Sequence, residues 1–571
     1  MAADTPTEVR TRKSPLPAQE QLVRDGVHPV LAHLFAGRGV RRRAEVDDGL
    51  ATLLPPDGLR GMPEAVALLT SAIAQKKRIV IVADYDCDGA TACAIGVRGL
   101  RAMGADVDFI VPDRFKFGYG LTPEIVALAA QAGPRRPDLL VTVDNGIASI
   151  EGVDAARELG MAVLVTDHHL PGDELPRAAA IVNPNQPGCG FASKSIAGCG
   201  VMFYVLLALR AELRKQGAFK DRQEPNLAEL LDLVAIGTVA DVVQLDHNNR
   251  VLVAQGLKRI RSGRMHPGVR ALFAAAGRDP SRASSFDLGF LVGPRLNAAG
   301  RLTDMRLGIA CLLTDDYGPA LEMARQLDDL NRERRSIEAD MRDQAEAIVA
   351  GLDIAERTAV CLYDPSWHQG VVGIVAGRMK DRLHRPVIVF ARGESGELKG
   401  SGRSIPGLHL RDALDLVAKR HPHLISRFGG HAAAAGLTLN GEDIEAFNTA
   451  FEAAVTEMLG PGALARTLDT DGPLEPQWMS LETARMLEEQ IWGQGFPQPL
   501  YVDVFEVAGQ RVVGERHTRL RLVRGGRTLE AMHFNSLAPA GGRIRAAYRL
   551  SVNEYNGVSS LQLIIEHREP A

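Results

Sequence analysis

The 571-residue chain lacks several things, and each absence closes a possibility. Its six cysteines, Cys87, Cys93, Cys189, Cys199, Cys311 and Cys361, form no CxxC pair, so neither a zinc ribbon nor a redox motif is indicated. In a chain this long they read as small, reduced core residues of a cytosolic protein. No apolar run approaches the roughly 20 residues that span a bilayer. The opening "MAADTPTEVRTRKSPLPAQE" has no apolar core of a secretory signal and reads as a disordered tail over 1–25. There is no excess of positive charge: the formal net charge is −4, so any affinity for a polyanion must come from a local patch. No internal repeat is evident.

What is present points to a multidomain globular protein. Apolar residues are 46% and charged residues 24% of the chain, and the length exceeds what one core can serve. Over 75–245, apolar strand-like segments alternate with helical ones, "RIVIVAD", "VDFIVPD", "DLLVTVDNG", "MAVLVTDHH" and "AAAIVNP" being the strands. That pattern predicts a parallel sheet with covering helices, whose ligands sit beyond the carboxyl ends of the strands. Residues 318–352 mix apolar and charged residues at helical spacing and predict one long helix. The "RERR" at 332–335 within it reads as a solvated face or as a nucleic-acid contact. A second α/β unit is expected over 353–460 and a barrel of OB type over 465–571.

The chemistry concentrates at strand ends. "IVIVADYDCDG" runs a buried strand into Asp84, Asp86 and Asp88, a costly arrangement unless something neutralises the carboxylates. In extended chain Asp86 and Asp88 face one side. Asp144 ends "VTVD", His168 and His169 end "VTDHH", and Asp241 closes the apolar run "LLDLVAIGTVAD". Several carboxylates with one or two imidazoles suit Mn2+ or Mg2+ better than structural zinc. The carboxylates outnumber the needs of one ion, so two are expected, with Asp144 as the bridging carboxylate. Asp167 also fits the cap of a following helix. Cys87, inside the aspartate run, reads as a small filler turned into the core.

The segments "DYDCDG", "PDRFKFGYG", "VTVDNGI", "VTDHH" and "GTVADVV" resemble the DHH phosphoesterase superfamily. "GPRLNAAGR", "WHQGVVGIVAGR", "LKGSGRS" and "FGGHAAAAG" narrow the resemblance to its RecJ family of single-strand-specific exonucleases, from about residue 28 to the C-terminus. The resemblance implies a DHH domain with an N-terminal extension over 26–317, joined by the long helix to a DHHA1 domain and followed by the OB-like barrel. It implies 5′→3′ hydrolysis of single-stranded DNA to mononucleotides in repair and recombination. Asp86, Asp88, Asp144, His168 and Asp241 match the metal ligands, and His169 matches the residue that contacts the scissile phosphate. Asp84 would support the site from behind the ligands, and Val82 stands where some members carry a histidine. Arg114, Ser401 and Arg403 are expected at the 5′ phosphate, Tyr119 under a base, and Arg301 and His431 along the strand. The "GPRLNAAGR" segment reads as a loop or as a helix start capped by Asn297, and "GGHAAAAG" as the start of a helix of small residues. A channel between lobes too narrow for a duplex would exclude double strands. Single-strand-binding protein and a RecQ-type helicase are the implied partners of a cytoplasmic monomer, nucleoid-associated during repair. Short oligoribonucleotides or cyclic dinucleotides as substrates, a pyrophosphatase, and a non-catalytic scaffold are the competing readings; the C-terminal barrel and the full ligand set disfavour them.

Overall fold

Thr7–Thr11 forms strand β1 and Leu16–Arg24 a helix, so the tail expected to be disordered over 1–25 is corrected from residue 7 onward. The computed structural model describes residues 7–393, 396–440, 443–460 and 462–571, apart from the side chains of Arg114 and Phe115. The order at the N-terminus has a long-range cause. β1 pairs with Arg466–Thr470, and Arg12 N donates to Thr470 O at 2.7 Å. Next to this pairing, Arg38 donates through Nη1 and Nη2 to Asp471 at 2.9 and 3.0 Å, and Leu500 N adds a third bond at 3.0 Å. Both side chains of that pair are buried. Removing one partner of a buried ion pair strands the other charge. Arg38→Ala is therefore expected to cost about 3–5 kcal/mol, read as a lower urea midpoint; an unchanged midpoint would contradict the assignment.

The chain divides into two units, Thr11–Asp329 with Thr470–Ala571, and Leu330–Asp469 with the residues up to Arg10. In the first unit, Arg78–Ala83 (β2) is buried along its whole length, as a strand covered on both faces must be. It lies in a sheet with β3 (Asp106–Ile110), β4 (Leu139–Val143), β5 (Ala162–Thr166) and β6 (Ala180–Val182), in the order β3-β2-β4-β5-β6. All four pairings are parallel. The order reverses at β2, so the crevice beyond the carboxyl ends of β2 and β4 is the topological switch point where such sheets bind ligands. Two buried helices, Cys87–Ala102 and Gly198–Lys215, cover the sheet and pack on each other.

In the second unit a five-stranded sheet has the order β10-β11-β9-β8-β7. Its strands are β7 (Val360–Tyr363), β8 (Val387–Arg392), β9 (Leu398–Arg403), β10 (Ile425–Gly430) and β11 (Ala434–Leu439). Only β7 and β8 run parallel. Phe390, Phe447 and Phe451 anchor the core on one face. The helix of small residues expected at "GGHAAAAG" is corrected: these residues turn β10 into β11 and continue as strand. Ala434 pairs with Arg403 and Gly436 with Ser401, so the sheet overrides the helical preference of alanine. The long helix runs Tyr317–Ala350, and the division between the units falls within it. Its "RERR" is mixed, for Arg334 is buried in an ion pair with Glu338 at 2.7 Å.

Arg466–Thr470 is β12, and the remainder closes as a barrel, β13-β14-β15-β17-β16. The strands are β13 (Tyr501–Val513), β14 (His517–Arg524), β15 (Arg527–His533), β16 (Arg543–Tyr555) and β17 (Val558–Pro570). Tyr501, Phe505 and Tyr548 fill its interior, and the Tyr548 hydroxyl donates to Asp503 at 2.7 Å. Among the described residues, no helix is long and apolar enough to cross a membrane.

Candidate metal centre and active site

Asp84 follows β2 directly, and Asp86 caps the helix Cys87–Ala102, its Oδ1 accepting Gly89 N at 3.0 Å. The extended conformation expected for Asp86 and Asp88 is thus corrected: the helix starts between them. Asp88, fully buried in the first turn, accepts Gly198 N at 2.6 Å and Cys199 N at 2.9 Å. It thereby meets the positive end of the helix Gly198–Lys215. Asp144 follows β4 with φ +62°, and its N–H donates to Thr166 O at 3.0 Å. Gly198 makes room for it: a Cβ there would lie 2.7 Å from Asp144 Cβ. Asp241 is corrected from a strand end to the C-terminal cap of the helix Leu231–Ala240.

His168 Nε2 lies 3.0 Å from Asp144 Oδ1, 3.4 Å from Asp241 Oδ2 and 3.9 Å from Asp88 Oδ2. Three overlapping trios have ligand atoms within 4.8 Å of one another: Asp144, His168 and His169; Asp88, His168 and Asp241; Asp84, Asp86 and Asp144. Asp144 and His168 each belong to two of them. Asp84 stands in one of these trios, with Asp86 and Asp144. Asp167 caps no helix; it accepts Ile147 N, His168 N and His169 N, and its Oδ1 lies 2.8 Å from His169 Nδ1.

So many carboxylates resist ionisation together. Burial, then the charge of Asp86, pushes Asp88 up to about 6, against the pull of its amide bonds. Asp144 and Asp241 are held well above the usual carboxylate range by burial and then by neighbouring aspartates, Asp88 foremost. His169 behaves oppositely: burial pulls it down, but the Asp167 hydrogen bond and the surrounding carboxylates raise it to about 9. Burial pushes Asp167 up, but its hydrogen bond to His169, the charges of His169 and His168 and the bond from Ile147 N together hold it below the ordinary carboxylate value. Divalent cations fit this donor set. It is oxygen-rich with an imidazole, and Asp144 Oδ1 is buried yet accepts no hydrogen bond among the described residues.

Three family models match in chain order: the DHH family N-terminal domain over 78–238, the DHHA1 domain over 356–457 and the RecJ OB domain over 470–567. The chain is 49% identical to the single-stranded-DNA-specific exonuclease RecJ of Escherichia coli over 556 residues, 95% of this chain and 96% of that one. The chain belongs to the RecJ family of single-stranded-DNA-specific exonucleases. RecJ of Haemophilus influenzae is 45% identical, over 95% of this chain and 96% of its own. The crystal structure of Thermus thermophilus RecJ in complex with Mn2+ superposes with a TM-score of 0.83 at 32% identity, covering 100% of this chain and 80% of that one. The Mg2+ complex of the same protein gives 0.78 at 30%, covering 100% and 79%.

In this RecJ-family chain the other expected site residues fall in several places. Tyr119 reaches the cluster through its hydroxyl, 3.2 Å from Asp144 O and 3.1 Å from His169 Nδ1. Arg114 starts the short helix Arg114–Phe117, and its side chain is outside the described residues. Arg301 lies on the helix Gly293–Leu302, which corrects the loop expected there; Asn297 sits inside that helix and does not cap it. Ser401 and Arg403 share β9 of the other unit, where Arg403 Nη1 donates to Ser401 Oγ at 3.1 Å. His431 is exposed in the turn before β11. The small residues of "GPRLNAAGR" have a role that sequence reasoning missed. Asn297 Oδ1 accepts Cys87 N at 2.8 Å, and a Cβ on Gly300 would lie 1.8 Å from Tyr85 O. The helix thus braces the aspartate run. Cys87 is a buried filler there.

Proposed function

We propose that this RecJ-family enzyme degrades single-stranded DNA from a 5′ end to mononucleotides, in DNA repair and recombination. The observation that carries the reading is the set of three ligand trios at the switch point of the sheet, linked because Asp144 and His168 each belong to two of them. Two divalent cations, Mn2+ or Mg2+, held by Asp86, Asp88, Asp144, His168 and Asp241, would supply an activated water and offset the charge of the phosphate. Asp144 is the shared ligand, and Asp84 completes its trio with Asp86. The chain's own residues do the rest. Asp167 holds His169 in its charged form, which presents an N–H to the non-bridging oxygens of the scissile phosphate and offsets charge that develops in the transition state. Arg114, Ser401 and Arg403 receive the 5′ phosphate, where a guanidinium can bind two oxygens at once. Tyr119 stacks a base, a contact blind to sequence. Arg301, His431 and the barrel hold the strand beyond.

Single-strand-binding protein and a RecQ-type helicase are proposed as partners of a monomer working in the cytoplasm. With Mn2+, an oligonucleotide labelled at its 5′ end is expected to yield labelled mononucleotide at the earliest times. The same strand labelled at its 3′ end should instead shorten progressively while keeping its label. Early loss of the 3′ label as mononucleotide would overturn the polarity.

A further inference from the structure

Tyr119 stands between two glycines in the left-handed region, Gly118 at φ +74° and Gly120 at φ +82°. That backbone turns the side chain inward at its tip, while about half of the residue stays exposed. The tip lies between two working groups. Tyr119 Oη is 3.2 Å from the carbonyl oxygen of Asp144, 3.1 Å from His169 Nδ1 and 3.4 Å from His169 Nε2. A phenol carries one proton. Toward a carbonyl it can only donate, so toward the imidazole it can accept only a share of the Nδ1 proton, whose nearer acceptor is Asp167 Oδ1 at 2.8 Å. The ring also meets His169 edge-on, with centroids 5.7 Å apart, and Tyr85 at 6.2 Å.

We infer that Tyr119 is a positioning residue of the hydrolytic reaction, its hydroxyl fixing Asp144 and His169 relative to each other. Asp144 needs such a restraint. It is a non-glycine residue at φ +62°, a conformation held only when the surroundings determine it. Its N–H is tied to the sheet through Thr166 O, and Tyr119 ties the carbonyl. The same hydroxyl touches the ring that faces the phosphate. The exposed part of the ring remains available to a base, so one side chain serves two tasks through different atoms. The inference rests on the metal-and-phosphate reading of the site.

Tyr119→Phe separates the tasks, because it keeps the ring and removes the hydroxyl. With a 5′-phosphorylated oligonucleotide and saturating Mn2+, kcat is expected to fall about ten- to a hundredfold with KM unchanged. Calorimetric titration should show weaker Mn2+ binding by about tenfold without DNA present, since Asp144 is less well fixed. Tyr119→Ala should show the same loss in kcat and raise KM as well. A Phe variant with the parent kcat and Mn2+ affinity, or one altered in KM alone, would overturn the inference. Asp144→Ala in parallel keeps the two levels apart. Full activity of that variant would fail the underlying reading, whereas its inactivity beside a fully active Tyr119→Phe would fail only the positioning role.

Discussion

Asp144→Ala is expected to remove exonuclease activity, by well over a hundredfold, while the protein stays folded. Groups that merely orient a metal ligand typically account for about 10- to 100-fold, and Asp144 is proposed as a ligand shared by two ions. Folding should survive because the carboxylate is a burden to the metal-free protein. Its ionisation is opposed by burial and by Asp88, Asp86, Asp84 and Asp241. The left-handed backbone sets a modest cost, since alanine tolerates φ +62° less well than aspartate. Asp144→Asn is the companion variant: asparagine accepts that backbone readily but supplies a poorer ligand. Digestion of end-labelled single strands, with circular dichroism of the same samples, reads both properties. An active, folded Asp144→Ala would sink the assignment of the centre.

Manganese is expected to stabilise the protein far more at pH 8 than at pH 5. Asp88 keeps its proton in the folded chain up to about 6, and Asp144 and Asp241 are shifted in the same direction. In the unfolded chain these groups ionise near 4. Their contribution to metal-free stability is therefore fully present below that value and is lost as pH rises through the folded values. Cations bind the ionised carboxylates and must displace the protons at low pH. At pH 8 and a hundredfold excess over Kd, one ion should add about 2.7 kcal/mol; at pH 5 the gain should be close to nothing. Thermal unfolding with and without Mn2+ at both pH values is the measurement. An equal shift at pH 5 and pH 8 would exclude these carboxylates as the ligands.

The strands β2, β4 and β5 could be recognised before any coordinates because fully buried parallel strands are written as unbroken apolar runs, and their ends carry the chemistry. The barrel was equally visible through alternation and glycine-bearing turns. Asp241 was harder. The run preceding it is buried on every side, so periodicity cannot separate a short helix from a strand. The β10–β11 hairpin failed for a different reason. Its alanines prefer helix locally, and only their register against β9 decides otherwise. Asp88 and Gly198 form a third case, a capping contact between residues 110 positions apart. Nothing local announces it, although two glycines one residue apart at the start of an apolar helix were a usable hint. The inward Tyr119 hydroxyl depends on loop geometry that only the folded chain supplies.

The pairing of β1 with Arg466–Thr470 has a consequence for biosynthesis. The two segments are separated by more than 450 residues. At about 5–20 residues per second, the first strand would wait roughly 25 to 90 s on the ribosome before its mate emerges. During that interval its hydrogen-bonding edge is open to wrong neighbours. The sheet that Asp84 and Asp144 follow can form long before, so the nascent chain would assemble the proposed metal ligands well ahead of the pairing of β1 with β12.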